Sequence, residues 1–396
     1  MTRIHPAEAL LVATLALLLG GMAFTMSPNP DAFTYASDGL RVLAGEIPHR
    51  DYFQFTPPGT ALVGALVMAV TGPSILALRL VQGLALVGAA LLFGRLTRRL
   101  GAGPWAATLP GLALVLGLYY FQPHWNAHWL VLAPIAAALL AACRGLGDGG
   151  ARAWGLAGLL TGLGALLLQS DGIVLTTAIG GAAVADLVVG RAGPAATARR
   201  LGSFAGGIAA VLAPLAAWLG WHGALGAAYD QIWVFTTTNY AAAGNVNDIR
   251  FATDLSQHLS PFIGWTSLPA FWARVAHALL LYSLVVGVAL GSLAWAAGIL
   301  ARRLRDRTRW DADEAAWGVC GLAALGFGIL ATRGRADITH VALYALPALV
   351  VATAAAAALA RRLPEPGLVA LRWLPLALIA GFTAAGGVLW LSLIHI

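Results

Sequence analysis

The chain has 396 residues, 59% of them hydrophobic and only 10% charged, with a mean hydropathy of +0.79. A soluble domain carries about 25% charged residues, and a soluble core cannot hide this much apolar surface, so the composition excludes a water-soluble globular protein and points to a polytopic membrane protein. The net charge of +7 comes from 24 arginines and no lysine; these sit in short clusters between apolar runs, a topology pattern, and no nucleic-acid partner is expected.

Crossing ~30 Å of hydrocarbon takes ~20 apolar residues. Runs of that kind fall at 7–26, 74–94, 104–121, 127–143, 153–169, 172–190, 203–221, 275–300, 314–331, 341–360 and 369–391, which predicts eleven spans. The run 60–71 is too short to span and reads as re-entrant or interfacial. Gly21-Met22-Ala23 offers small residues suited to signal-peptide cleavage, but the length of the run and the need for an in-to-out first helix favour a retained span. With the N-terminus inside, 17 of the 24 arginines fall on the inner side, and seven remain outside: Arg41, Arg50, Arg79, Arg250, Arg274, Arg333 and Arg335. The clusters "RLTRRLGAG" and "ARRLRDRTR" then anchor to anionic membrane lipid.

The outer segments carry the chemistry. Segment 27–59 is long and polar; segment 222–274 holds Asp230, Trp233, Tyr240, Asn245, Asn247, Asp248, Asp254 and His258. Shorter outer turns lie at 119–129, 168–172 and 332–340, whereas the inner turns hold mainly Arg, Gly and Ala. The working face is therefore expected outside. No soluble catalytic domain, Gly-rich phosphate loop, zinc-type Cys/His spacing or G-x-S-x-G elbow occurs, so residues 1–396 read as one membrane domain. Cys143 and Cys320 fall in or beside apolar runs and read as packing residues. His124 and His128 have the i, i+4 spacing of metal ligands, but two histidines alone do not specify a metal; no metal and no other cofactor is expected.

The stretch "DAFTYASDGLRVLAGEIPHRDYFQFTPPGT" follows the first span. The prolines of "SPNP" end that span. Residues 31–46 then read as an amphipathic juxtamembrane helix, with Phe33, Leu40 and Leu43 on the membrane and Asp38 paired with Arg41 at i, i+3. Asp31 stands at the helix start, and the residues alone leave a capping role and a functional role equally open. Tyr52, Phe53 and Phe55 alternate beside Pro57-Pro58, as a sugar or isoprenoid clamp or as an interfacial aromatic belt. Arg79, near the outer end of the second long span, is costly if unpaired, and Asp51 is its nearest expected partner by sequence.

These pieces resemble the GT-C superfamily of membrane glycosyltransferases, most closely the branch with the protein O-mannosyltransferases and the bacterial aminoarabinose and lipopolysaccharide-sugar transferases. The matching residues are Asp31, Leu43, Gly45, Glu46, Pro48, Arg50 to Phe53, Phe55, Pro57 to Gly59, Gly72, Ala77, Arg79 and Leu80. "HWNAHWLVLAP", "LLLQSDGIVL" and "RGRADITHVALYALP" resemble later elements of the same family, with Leu168 where a Lys is more usual.

The resemblance implies an all-α, GT-C-like bundle of about eleven spans with a juxtamembrane helix in the first outer loop. It implies transfer of a sugar from a polyprenyl-phosphate donor to a glycan, lipid or protein acceptor outside the bacterial cytoplasmic membrane. Asp31 would be the general base, with Asp38 and Asp51 as fallbacks. A carboxylate at the bilayer edge is partly desolvated, which raises its basicity toward what proton abstraction needs. Arg333, Arg335, His340 and Arg79 would bind the donor phosphate; Tyr52, Phe53, Phe55, Asp337 and Gln169 would touch sugar or lipid. A secondary transporter or lipid flippase is the competing reading, with Asp171 and Asp186 as its ionisable candidates; a surface-polysaccharide polymerase or ligase on the same scaffold is a third. The terminal "LWLSLIHI" reads as translated adapter sequence, and the natural chain is expected to continue beyond it.

Overall fold

A computed structural model describes residues 5–25, 30–119, 124–147, 150–189, 192–240, 268–306, 311–333, 338–362 and 376–384. Among these residues the fold is all helix, with one isolated bridge between Pro48 and Tyr52. The helices are α1 (Pro6–Thr25), α2 (Pro30–Leu43), α3 (Gly59–Thr71), α4 (Ile75–Arg99), α5 (Leu109–Ala113), α6 (Ala127–Leu130), α7 (Leu132–Leu146), α8 (Gly150–Leu167), α9 (Gln169–Val188), α10 (Pro194–Trp221), α11 (Leu225–Tyr229), α12 (Phe235–Thr237), α13 (Leu268–Asp306), α14 (Ala312–Arg333), α15 (Ile338–Tyr344) and α16 (Leu346–Arg362). Residues 376–384 are helical as well.

Eight helical stretches are long and apolar enough to cross a membrane. They correspond to eight of the eleven predicted spans. The other three are described differently. The run 104–121 breaks into a 3-10 turn at Ala106–Thr108, α5, and a π-helical turn at Leu114–Leu118. The run 341–360 is interrupted at Ala345, two residues before Pro347, whose ring forbids a regular helix there. Of 369–391, only 376–384 is described.

Small residues bring the helices close. Gly158 on α8 faces the backbone of Phe204 on α10, and a Cβ there would lie 1.9 Å from the Phe204 carbonyl oxygen; across the same seam a Cβ on Gly207 would lie 2.2 Å from the Gly155 carbonyl oxygen. Dispersion across such close backbone contact holds helices together where lipid removes the hydrophobic drive.

The loops sort to two ends. At one end His5 packs edge-on against Trp105, Glu8 pairs with Arg98 (3.0 Å), Arg99 pairs with Asp313, Asp186 pairs with Arg200, and Arg303 pairs with Glu314 (2.5 Å). The predicted inner arginines thus meet each other's carboxylates. The first loop, the 124–126 turn and the start of α9 gather at the other end.

Candidate functional site

The helix predicted for 31–46 is α2, and its buried face is made of small residues. Ala32, Ala36 and Gly39 turn inward while Phe33, Leu40 and Leu43 are exposed, as the amphipathic pattern requires. A Cβ on Gly39 would lie 2.6 Å from the Met68 methyl and 3.1 Å from the Ala65 backbone nitrogen, so α2 lies tight on α3. The "LAGE" motif ends α2. Gly45 has φ 87°, the Gly45 N–H bonds the Val42 carbonyl (3.0 Å), and the Glu46 N–H bonds the Arg41 carbonyl (3.0 Å), which is a Schellman cap.

The cap brings Glu46 to Arg41, whose Nε donates to it at 2.6 Å. Arg41 also stacks 4.4 Å over the Tyr52 ring. The expected Asp38–Arg41 pair therefore gives way to Arg41–Glu46. Asp38 is left buried (8% exposed), and burial pushes its carboxyl up to about 6, with Arg41 opposing the shift.

Asp51 builds the following turn. It accepts from the Ile47 N–H (2.7 Å) and from Arg50 Nε (2.9 Å). The Arg50 bond first, then that of Ile47, holds it down at about 2, which makes it a weak base. Asp51 is thus not the partner of Arg79. Arg79 is buried instead at the end of α1: its Nη1 donates to the Ala23 carbonyl (3.1 Å), while Nε and Nη2 make no hydrogen bond among the described residues.

Asp31 is exposed, with 60% of its side chain accessible, and its Oδ2 stands 3.8 Å from His124 Nε2. The desolvation expected at the bilayer edge falls on Asp38 rather than on Asp31. His124 itself is buried, and its segment is held by Gln82 of α4. Gln82 Nε2 donates to the Tyr119 hydroxyl (2.9 Å) and to the His124 carbonyl (2.8 Å), and its Oε1 accepts from the Asn126 N–H (2.8 Å). Asn126 then caps α6 by accepting from the His128 N–H (2.9 Å). His128 packs edge-on to Tyr344, and His340 lies near enough to His128 to act on it electrostatically.

A second glutamine joins two loops. Gln231 Nε2 donates to the His49 carbonyl (2.9 Å), and its Oε1 accepts from the Gln54 N–H (2.9 Å) and lies 3.1 Å from His49 Nδ1. His49 carries φ 68°, a left-handed conformation unusual for a side-chain-bearing residue. This clamp sets Phe53 edge-on against Phe235 (4.9 Å between centroids) and stacks Phe55 on Tyr240 (5.7 Å). Phe53 and Phe55 are exposed, whereas Tyr52 is buried and its hydroxyl reaches the Asp38 carbonyl (3.5 Å). Gln169 Nε2 donates to the Phe55 carbonyl (3.3 Å). Pro58 leads into α3, and Gly59 follows because a Cβ there would sit 2.3 Å from the Leu166 carbonyl oxygen.

The structure thus brings together Asp31, Asp38, Tyr52, Phe53, Phe55 and Gln169, with His340 reached through His128. Arg335 and Asp337 lie outside the described residues, as do Asn245, Asn247, Asp248, Asp254 and His258; Arg333 is described only as the last residue of α14. Sequence reasoning missed Gln82, Asn126 and Gln231. Their signal was available as uncharged amides next to, or inside, apolar runs, where an unpaired polar group is costly.

The chain is similar in fold to an oligosaccharyltransferase. The solved structure is that of the Archaeoglobus fulgidus enzyme in complex with Zn and sulfate, matched with a TM-score of 0.55 and 15% sequence identity. The match covers 96% of this chain and 52% of that one, so the chain spans about half the length of its structural neighbour. No protein-family model and no curated protein sequence matches the chain. The likeness is one of fold, and it fits the all-helical bundle with membrane-length helices expected from the sequence.

Proposed function

We propose that this chain is a membrane glycosyltransferase that moves a sugar from a polyprenyl-phosphate donor to a glycan, lipid or protein acceptor, inverting at C1, with Asp31 as general base. One observation carries the reading: an exposed carboxylate starts a surface helix at the end of the bundle where the chemically equipped loops converge, 3.8 Å from a buried histidine. Likeness of fold to an oligosaccharyltransferase supports the same class.

In this reading Asp31 takes the acceptor's hydroxyl proton as that oxygen bonds to C1. The C1–O electron pair leaves with the lipid phosphate. Arg79 supplies a cation for that phosphate. Two of its nitrogens are buried without a hydrogen bond among the described residues, and a buried guanidinium is costly without a counter-charge. Arg333, Arg335 and His340 complete the phosphate set. Phe53 and Phe55, with Tyr52, Asp337 and Gln169, contact sugar or isoprenoid. Among the described residues no three His, Cys, Asp or Glu side chains group as metal ligands.

Asp31→Asn in an assay with polyprenyl-phosphate sugars tests the base. A positioned base contributes about 10²–10⁴-fold, and a loss of that size is expected. Retention of full activity removes Asp31 from the role. The transporter reading loses one of its two carboxylates to a salt bridge, since Asp186 is paired with Arg200 at the opposite end. A polymerase or ligase uses the same donor chemistry, and the size of the product separates it from a single-sugar transferase.

A further inference from the structure

Asn126 fixes the protonation pattern of His124. The amide oxygen Oδ1 is committed to the His128 N–H at 2.9 Å as the cap of α6. The atom left facing His124 Nε2, at 3.4 Å, is therefore the amide nitrogen Nδ2, which has hydrogens and no lone pair to offer. Nε2 must be the acceptor in that contact, so the ring carries its hydrogen on Nδ1. Burial lowers His124 to about 4, with Asp31 opposing the shift and Arg79 adding to it, so the ring is neutral at pH 7.

The same Nε2 faces Asp31 Oδ2 at 3.8 Å. Two hydrogen-bond acceptors cannot bond each other, so no hydrogen bond joins this pair until Asp31 is protonated and the two side chains close to bonding distance. Resting on the reading of Asp31 as base, we propose that His124 is its positioning residue: once Asp31 has taken the acceptor's proton, the carboxyl O–H closes on His124 and takes the Nε2 lone pair in place of the long 3.4 Å Asn126 contact. The proton moves from the acceptor oxygen to Oδ2 and stays there, hydrogen-bonded to Nε2, while the oxygen's electron pair forms the bond to C1 and the C1–O pair departs with the phosphate. His124 thus favours the protonated form of the base that the reaction produces, and Asn126 keeps the imidazole in the tautomer that can do so.

The other ionisable groups around the pair are Tyr35 and Asp38 on α2, Arg79 on α4, Tyr119, His128 with His340 behind it, and Tyr240. None is altered by the variants that test the idea. His124→Phe fills the buried site and removes the lone pair. It is expected to leave KM for the lipid donor near wild type, to lower kcat about tenfold, and to move the acid limb of the kcat–pH profile down by about one unit, the worth of one hydrogen bond. Asn126→Ser keeps a capping oxygen for α6 but removes Nδ2. His124 can then place its hydrogen on Nε2 and donate to the ionised Asp31, so the acid limb again moves down. Asn126→Ser decides the matter if His124→Phe does not fold. An acid limb that stays in place in every folded variant overturns the proposal, whatever the loss in rate. Activity retained in Asp31→Asn would instead overturn the assignment of the base.

Discussion

Asp31 and Asp38 stand seven residues apart on one helix yet meet opposite environments. Seven residues is close to two turns, so helical phase alone would have put them on similar faces. What separates them is α3: α2 lies flat on it near Gly39 and covers Asp38, while Asp31 projects at the helix start. Asp38 is consequently ionised at a cost. Its folded value near 6 lies above the unfolded 3.8, so the folded state favours the protonated acid; the contribution is full below about pH 4 and is lost as pH rises through about 6. Asp38→Asn should therefore match wild type in thermal stability at pH 4 and exceed it at pH 7, by at most ~3 kcal/mol. Equal melting temperatures at both pH values would show that the carboxylate is not burdened by burial. The sequence made Asp38 a fallback base on residue type alone. Its burial depends on the packing of α2 on α3, and the capture of Arg41 by Glu46 on the Schellman cap at Gly45, which the motif announces but does not interpret.

At the scale of elements, two glutamines do for the loops around the candidate site what salt bridges do for the opposite end. Gln82 ties the 124–126 turn to α4, and Gln231 ties the first loop to the segment that follows α10. Each carries three polar contacts, Gln82 fully buried and Gln231 half-buried; a net hydrogen bond is worth ~1 kcal/mol and an orphaned buried partner costs more. Gln231→Leu should free residues 49–54. Hydrogen exchange there is expected to rise by one to two orders of magnitude, and donor KM to rise with it as Phe53 and Phe55 lose their seating on Phe235 and Tyr240. Unchanged exchange in that loop would remove the clamp role. Long uniform apolar runs, such as the one that became α4, were plain in the sequence because length and composition suffice to define them. The run 104–121 was not: its apolar residues are continuous, and only packing divides it into 3-10, α and π turns. The clamps were hidden for a different reason. Their partners lie 37 to 182 residues away, and no periodicity connects such positions.

The whole molecule is polarised along the bundle, with arginine–carboxylate pairs at one end and the candidate site at the other. The arginine count assigned sides to these ends before any contact was known, because charge asymmetry between loops is a property of the entire chain. Single cysteines test that assignment: Ser37 on α2 and Arg199 on α10 are exposed, and the native Cys143 and Cys320 are buried. In sealed, oriented cells an impermeant maleimide should label Ser37→Cys from outside, and Arg199→Cys only after lysis. Labelling of both from one side would contradict the polarity. The Gln231 clamp also has a consequence for biogenesis. Its two halves are 182 residues apart in the chain. At ~5–20 residues per second, the ribosome needs on the order of ten to forty seconds after delivering His49 to deliver Gln231. Throughout that interval the first loop is without its clamp, and the clamp closes only after the fifth of the intervening long helices, α10, has been made.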